Sequence, residues 1–235
     1  MIYVYFSYKD DAEALRMSVA SLRARDEDAV VWVANDAAAP IPDADLPPLV
    51  KVLRTEYARG GTGAGLEAVR GQLEVFRHVL EAEKAEHVVK IDSDIYVCRH
   101  WVGFEPGKNG FCPVEADMVA FEGARALLPM GGIYRISRHA VRYCTEYMDK
   151  RVRWQAGGYA EALTIWHMLA VSHLRLCLFP ADARVLGGFD VEDHWCGGGC
   201  CYIHAGEPHF EGGRLVRATR ELTRTRMRLL SALCK

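Results

Sequence analysis

The sequence predicts an α/β domain with a doubly wound, mostly parallel central sheet. Three observations carry that expectation. The N-terminal half alternates short β-branched runs with amphipathic stretches at helical spacing. Two apolar runs end in acids, Asp36 and Asp92, where parallel sheets collect ligands beyond the carboxyl ends of their strands. A chain of 235 residues, 50% apolar and 26% charged, is long enough to bury one large core.

The elements follow in order. Residues 2–6 are β-branched and aromatic and read as a first strand. Residues 10–25 carry Leu15, Val19 and Leu22 at helical spacing. Residues 30–33 read as a second strand, which runs out at Asn35-Asp36. Residues 37–48 hold four of the nine prolines and form a loop, with a third strand over 49–53. A glycine-rich turn at 59–65 leads into a long helix over 66–83, with Val69, Leu73, Phe76 and Leu80 on one face. Residues 88–91 are the fourth strand, and a short strand follows the acids at 92 and 94.

The second half is less regular. Residues 118–121 and 133–136 read as strands, 137–148 and 159–172 as helices, and 174–179 as a further strand. Residues 190–211 are rich in Gly, Cys and His, and a closing helix is expected from about 214. No internal repeat and no long linker divides the chain, so one domain over 1–235 is expected.

A net charge of −2 and a pI near 6.5 give no global attraction to nucleic acid. No apolar stretch is long enough to span a bilayer. The first six residues lack a basic region and soon meet Lys9-Asp10-Asp11, unlike a signal peptide. A cytoplasmic protein is expected on that basis. Most of the eight Cys stand singly in apolar segments, as small hydrophobes with reduced thiols.

The sharpest feature is Asp92-Ser93-Asp94, set between Val88-Val89-Lys90-Ile91 and Ile95-Tyr96-Val97. In a strand, residues i and i+2 share a face, so both carboxylates would point the same way. Two like charges there repel unless a cation lies between them, and hard oxygen ligands suit Mg²⁺ or Mn²⁺. A turn after a strand also favours Asp and Ser, but two acids inside an apolar run are costly without a partner.

This arrangement resembles the Asp-x-Asp signature of GT-A-type nucleotide-sugar glycosyltransferases. The resemblance implies a GT-A, Rossmann-like sheet flanked by helices, with an irregular acceptor-side C-terminal half. Residues 1–98 would be the nucleotide-sugar-binding half, 99–213 the acceptor half, and 214–235 a basic C-terminal helix. It implies a Mn²⁺ or Mg²⁺ cofactor and a nucleotide-sugar donor, expected to be a UDP-sugar. Asp94 would contact the metal directly, and Asp92 the sugar or ribose while helping to position the metal.

The same resemblance extends to weaker matches. His204, in Cys201-Tyr202-Ile203-His204-Ala205-Gly206-Glu207-Pro208, is similar to the late metal-binding His of retaining members related to glycogenin and lipopolysaccharide galactosyltransferases. Those carry His-x-x-Gly-x-x-Lys-Pro; here Gly206 comes one residue early and no Lys precedes Pro208. A buried structural His is the alternative. Gly131 and Gly132 resemble an acceptor-binding segment, where paired glycines let backbone approach a sugar ring; an ordinary turn into a strand is the other reading. Glu161 matches the first acid of the Glu-Asp pair that opens a helix in inverting members, while Ala162 replaces the Asp. It would serve as base or acceptor contact, or simply favour the helix dipole. Inverting and retaining mechanisms both stay open.

For the donor, Ser7 follows strand one and Asp36 follows strand two, where the family holds base and ribose; turn chemistry also explains both. Arg70 and Lys90 would neutralise phosphate charge, or stand as solvated basic residues. The run Gly61-x-Gly63-x-Gly65 lacks dinucleotide-loop spacing and reads as a mobile loop, a lid over donor. His194, Cys196, Cys200, Cys201, His204 and His209 have zinc-ligand chemistry without the spacing of a standard finger. Six Arg between 214 and 228 suit either an anionic membrane surface, where a lipid-linked acceptor resides, or a basic helix packed on the domain. The resemblance implies a saccharide, lipid-linked or protein acceptor. A nucleotidyltransferase on a related fold would need a Gly-rich loop after strand one, which Ser7-Tyr8-Lys9-Asp10-Asp11 is not. A noncatalytic sugar- or metal-binding protein is the remaining alternative.

Overall fold

The first strand, β1 (Ile2–Ser7), is buried at every position after its first. A strand covered on both faces belongs at the centre of a sheet with helices on either side. In the computed structural model, β1 pairs in parallel with β2 (Val30–Asp36) on one flank and β4 (His87–Ile91) on the other. Strand β3 (Lys51–Thr55) extends the parallel set beyond β2 and is its exposed edge. The structure describes residues 1–56, 65–98, 111–113, 116–121, 124–129, 132–151, 164–165, 168, 202–206, 209–211, 214–216 and 218–233.

On the far side of β4 the direction changes. Between β4 and its later neighbours come β5 (Ile95–Val97), β6 (Phe111–Pro113), β7 (Ala116–Phe121) and β8 (Ala124–Pro129). Strand β9 (Ile133–Ser137) then runs antiparallel to β4, and β6 runs antiparallel to β9. Among the described residues this gives a six-stranded sheet in the order β3-β2-β1-β4-β9-β6. Strands β7 and β8 form a separate antiparallel pair.

Alternate residues of β1 feed two cores, as strand geometry requires. Val4 and Phe6 join Leu73, Phe76 and Leu80 of helix α2 (Gly65–Ala82) and Val141 and Cys144 of α3 (Arg138–Arg151). Tyr3 and Tyr5 join Leu15, Val19 and Leu22 of α1 (Ala12–Arg23) on the opposite face. Burial raises the pKa of both tyrosines, so they stay neutral and act as core side chains.

Several boundaries differ from expectation for identifiable reasons. The third strand starts at Lys51, because Leu49 takes a left-handed φ of 59° and is 90% exposed. No helix begins at 214: β12 (Arg214–Val216) pairs with β11 (His209–Glu211) instead. The closing helix α4 (Arg220–Leu233) starts later, where the Thr219 hydroxyl accepts the Leu222 N–H at 3.1 Å. Strand β8 was not legible from the pattern. The strand expected over 174–179 and most of the helix over 159–172 lie outside the described residues. Among the described residues no helix is long and apolar enough to cross a membrane.

Candidate functional site

The sheet order reverses between β1 and β4, so the crevice at their carboxyl ends is a topological switch point. The Asp-Ser-Asp motif stands there. It is a tight turn rather than a continued strand: Ile95 N–H donates to Asp92 O at 3.2 Å, linking β4 to β5. The turn still delivers both carboxylates to one cleft, while Ser93 is buried between them. The expectation of alternate positions on one strand is corrected to this turn, with the same outcome for the two acids.

Lys90 is the last polar residue of β4 before the turn. Its side chain is 2% exposed and its ammonium pairs with Asp92 Oδ1. The alternative of a solvated lysine is therefore overturned. The ammonium also lies 5.8 Å from the Tyr134 ring centroid, and the Tyr134 hydroxyl donates to Gln72 of α2 at 3.0 Å. A buried cation under one carboxylate holds it in place and offsets part of its charge. The Asp92 N–H donates to Gly132 O at 2.9 Å, which ties the predicted acceptor segment to the motif.

Two further elements fix the second half of the turn. On the α1 side, the Ser18 hydroxyl donates to Ile95 O, and Ser21 Oγ accepts the Val97 N–H at 2.9 Å. On the other side, β10 (Tyr202–His204) pairs antiparallel with β5, setting His204 opposite Ile95. The chain then turns over the motif. Ala205 N–H donates to Asp94 O at 2.9 Å, and Gly206 comes so close that a Cβ there would lie 1.9 Å from Asp94 Oδ2. Buried Arg226 of α4 donates to Ala205 O at 2.9 Å and supports this turn from behind. Burial lowers the pKa of that guanidinium.

The cleft has a volume of about 260 Å³. Asp92, Asp94 and Gly206 form one wall, Tyr8, Asp10 and Asp11 a second, and Arg220, Thr223 and Arg224 of α4 a third. Sequence reasoning missed the third wall. Arg220 and Asp10 are 210 positions apart, and no local pattern links them. Asp10 and Asp11 were read only as charges unlike a signal peptide, in a segment after strand one that is not a Gly-rich loop.

The remaining expected residues fall in different places. Ser7 ends β1 level with Asn35 and is buried, and its hydroxyl has no hydrogen-bond partner among the described residues. Asp36 Oδ1 accepts the Ala38 N–H at 2.9 Å, the turn chemistry of a strand end. Arg70 lines a separate cavity of about 430 Å³ between β3 and α2, with Leu53, Thr55, Glu67 and His78. It is not brought to the Asp92 cleft. Glu161, Gly131, the glycine loop before Gly65, His194, Cys196, Cys200 and Cys201 lie outside the described residues, as does the His204 side chain.

Arginines of the C-terminal helix contact the first elements of the domain. Arg228 makes two bonds to Glu13, at 2.6 and 2.9 Å, and lowers the Glu13 pKa. Arg224 donates to Asp10 O at 3.0 Å, and Arg220 pairs with Asp10. These contacts are those of a basic helix packed on the domain.

The donor set suits a hard divalent cation in kind, with carboxylate oxygens from Asp92 and Asp94 lining one cleft. Among the described side chains no three His, Cys, Asp or Glu come together as a complete metal group. His204 is paired with Ile95, the residue after Asp94.

No family model matches the chain, and no curated protein does. Solved structures do. A glycosyltransferase involved in glycosylation of the major capsid of PBCV-1 superposes with a TM-score of 0.57 at 9% identity, over 97% of this chain and 98% of its own. The galactosyltransferase LgtC, in complex with donor and acceptor sugar analogs, gives 0.57 at 12% identity, over 99% of this chain and 95% of its own. The glycosyltransferase GlyE of Streptococcus pneumoniae TIGR4 gives 0.55 at 10%, over 99% of this chain and 61% of its own. The chain has the mixed α/β fold of these glycosyltransferases.

Proposed function

We propose that this chain is a glycosyltransferase that takes a nucleotide-sugar, a UDP-sugar, and moves its sugar to an acceptor hydroxyl with the help of Mn²⁺ or Mg²⁺. The observation that carries the reading is the cleft at the β1/β4 switch point, where the carboxylates of Asp92 and Asp94 face guanidinium groups across a volume of about 260 Å³. The shared fold supports it.

In this reading Asp94 and Asp92 hold the cation, and His204 adds a ligand. When bound, the cation stabilises charge on the departing diphosphate. Lys90 keeps Asp92 fixed against the pull of a ligand, so little reorganisation accompanies binding. The Gly206 turn confines the Asp94 carboxylate from one side. Ser7 at the end of β1, Tyr8 after it and Asp36 at the end of β2 take the nucleoside. Gly131 and Gly132 lie under the acceptor, and Glu161 orients or deprotonates its hydroxyl.

The test is metal-dependent hydrolysis of UDP-sugars by the purified protein, beside Asp94→Ala. Turnover that needs Mn²⁺ and falls at least about a hundredfold in the variant is the expected result. Undiminished hydrolysis in Asp94→Ala overturns the reading.

A further inference from the structure

We propose that Arg220 and Arg224, on the C-terminal helix, are the cations that grip the donor diphosphate. The inference rests on the donor-site reading above and adds to it the residues that recognise phosphate.

The argument starts from charge. The cleft is lined by four carboxylates, Asp10, Asp11, Asp92 and Asp94. Lys90 offsets one of them from below. The diphosphate of a nucleotide-sugar carries two negative charges and the departing nucleoside diphosphate a third, one more than a divalent cation offsets, and an acidic rim would repel that charge. Among the described residues lining this cleft, the positive side chains are Arg220 and Arg224. Guanidinium is the group best matched to phosphate oxygens, because its planar fork makes two parallel hydrogen bonds.

Helix geometry explains why these two arginines reach the cleft. Positions 220, 224 and 228 recur every four residues and form one stripe facing α1. Arg228 ends that stripe on Glu13, outside the cleft lining. Arg224 also reaches Glu13, at 4.0 Å, and both it and Arg220 line the opening. Arg220 is 62% exposed and Arg224 39%. The Arg220 guanidinium lies 5.2 Å from the Tyr8 ring centroid, bonds the Tyr8 hydroxyl and pairs with Asp10 Oδ2. Tyr8 and Asp10 both follow β1, on the nucleoside side of the switch point. Arg220 is thus held between the nucleoside loop and the metal-binding acids, where a diphosphate joining the two would lie. Asp10 competes with that phosphate for the same guanidinium.

The competition gives the test its sign. Calorimetric titration with UDP and with uridine, in Mn²⁺, compares wild type with Arg220→Ala, Arg224→Ala, Arg220→Lys, Asp10→Asn, Arg228→Ala and Asp94→Ala. Arg220→Ala and Arg224→Ala are each expected to weaken UDP roughly tenfold or more and leave uridine unchanged. Arg220→Lys should fall between wild type and Arg220→Ala. Asp10→Asn frees Arg220 and should keep or tighten UDP binding, and Arg228→Ala should change nothing. If both alanine variants bind UDP like wild type while Asp94→Ala loses it, the donor site stands and this inference is overturned. If Arg220→Ala and Asp10→Asn weaken UDP alike, Arg220 is only an anchor for α4, and the inference is again overturned. If wild type shows no Mn²⁺-dependent UDP binding, the donor reading itself fails and takes the inference with it.

Discussion

Replacing Gly206 by alanine places a methyl carbon 1.9 Å from Asp94 Oδ2 and 3.0 Å from its Cγ. Ordinary contact begins near 3.4 Å, so the carboxylate oxygen must retreat by about 1.5 Å. Asp94 is only half-buried, so the side chain can rotate toward the cleft. The cost to folding should therefore stay at the low end for overpacking, about 1 kcal/mol. The cost to function should be larger. Misplacing a reacting group by about 1 Å can lower rates roughly a hundredfold, and here the displaced group is the proposed metal ligand. The assay pairs thermal unfolding with Mn²⁺-dependent UDP-sugar hydrolysis. A variant that melts within a few degrees of wild type but loses most of its turnover is the expected result. Full turnover with normal stability would refute the reasoning, since it would mean that the position of the Asp94 carboxylate does not matter.

Other expectations follow from the same contacts. Lys90→Met should fold with stability within about 1 kcal/mol of wild type, because methionine fills the stem and half-exposed Asp92 can be rehydrated. Its Mn²⁺-dependent UDP affinity should nonetheless drop roughly tenfold by calorimetry. The Glu13 carboxyl is held below its ordinary value of 4.5, first by its hydrogen bond from Arg228. A depressed folded-state pKa stabilises above the unfolded value and loses that contribution as pH falls through the folded one. Glu13→Gln should therefore differ most from wild type near neutral pH, and the gap should close on acidification below about pH 4.5 in urea melts. Burial pushes the Cys144 thiol up to about 12, so it should resist thiol reagents at pH 8 until the protein unfolds.

The parts of this molecule that local chemistry determines were legible in the chain. The parallel strands announced themselves through β-branched runs, and α1 and α2 through apolar residues at helical spacing. The motif acids were found because two carboxylates in an apolar run demand an explanation. Lys90 was read only partly. Its strand position was plain, but its burial depends on Tyr134 and Gln72, which tertiary folding brings from β9 and α2. The third wall of the cleft was illegible for a similar reason. Arg220 meets Tyr8 and Asp10 only because β10 and the Gly206 turn carry the chain back over β5, and Arg226 then ties α4 to that turn. Arg70 lies elsewhere. It sits early on the helix before the motif, yet it opens onto the β3 edge. The start of α4 was placed too early because a short antiparallel strand pair precedes it at residues 209–216.

The most direct test of the central claim is to locate Mn²⁺ by anomalous scattering in crystals grown with UDP. The account predicts one strong peak in the cleft, at roughly 2.0–2.3 Å from oxygens of Asp92 or Asp94. The diphosphate should lie between that peak and Arg220. A peak at the Cys/His segment alone, or UDP bound with no metal near either aspartate, would contradict it.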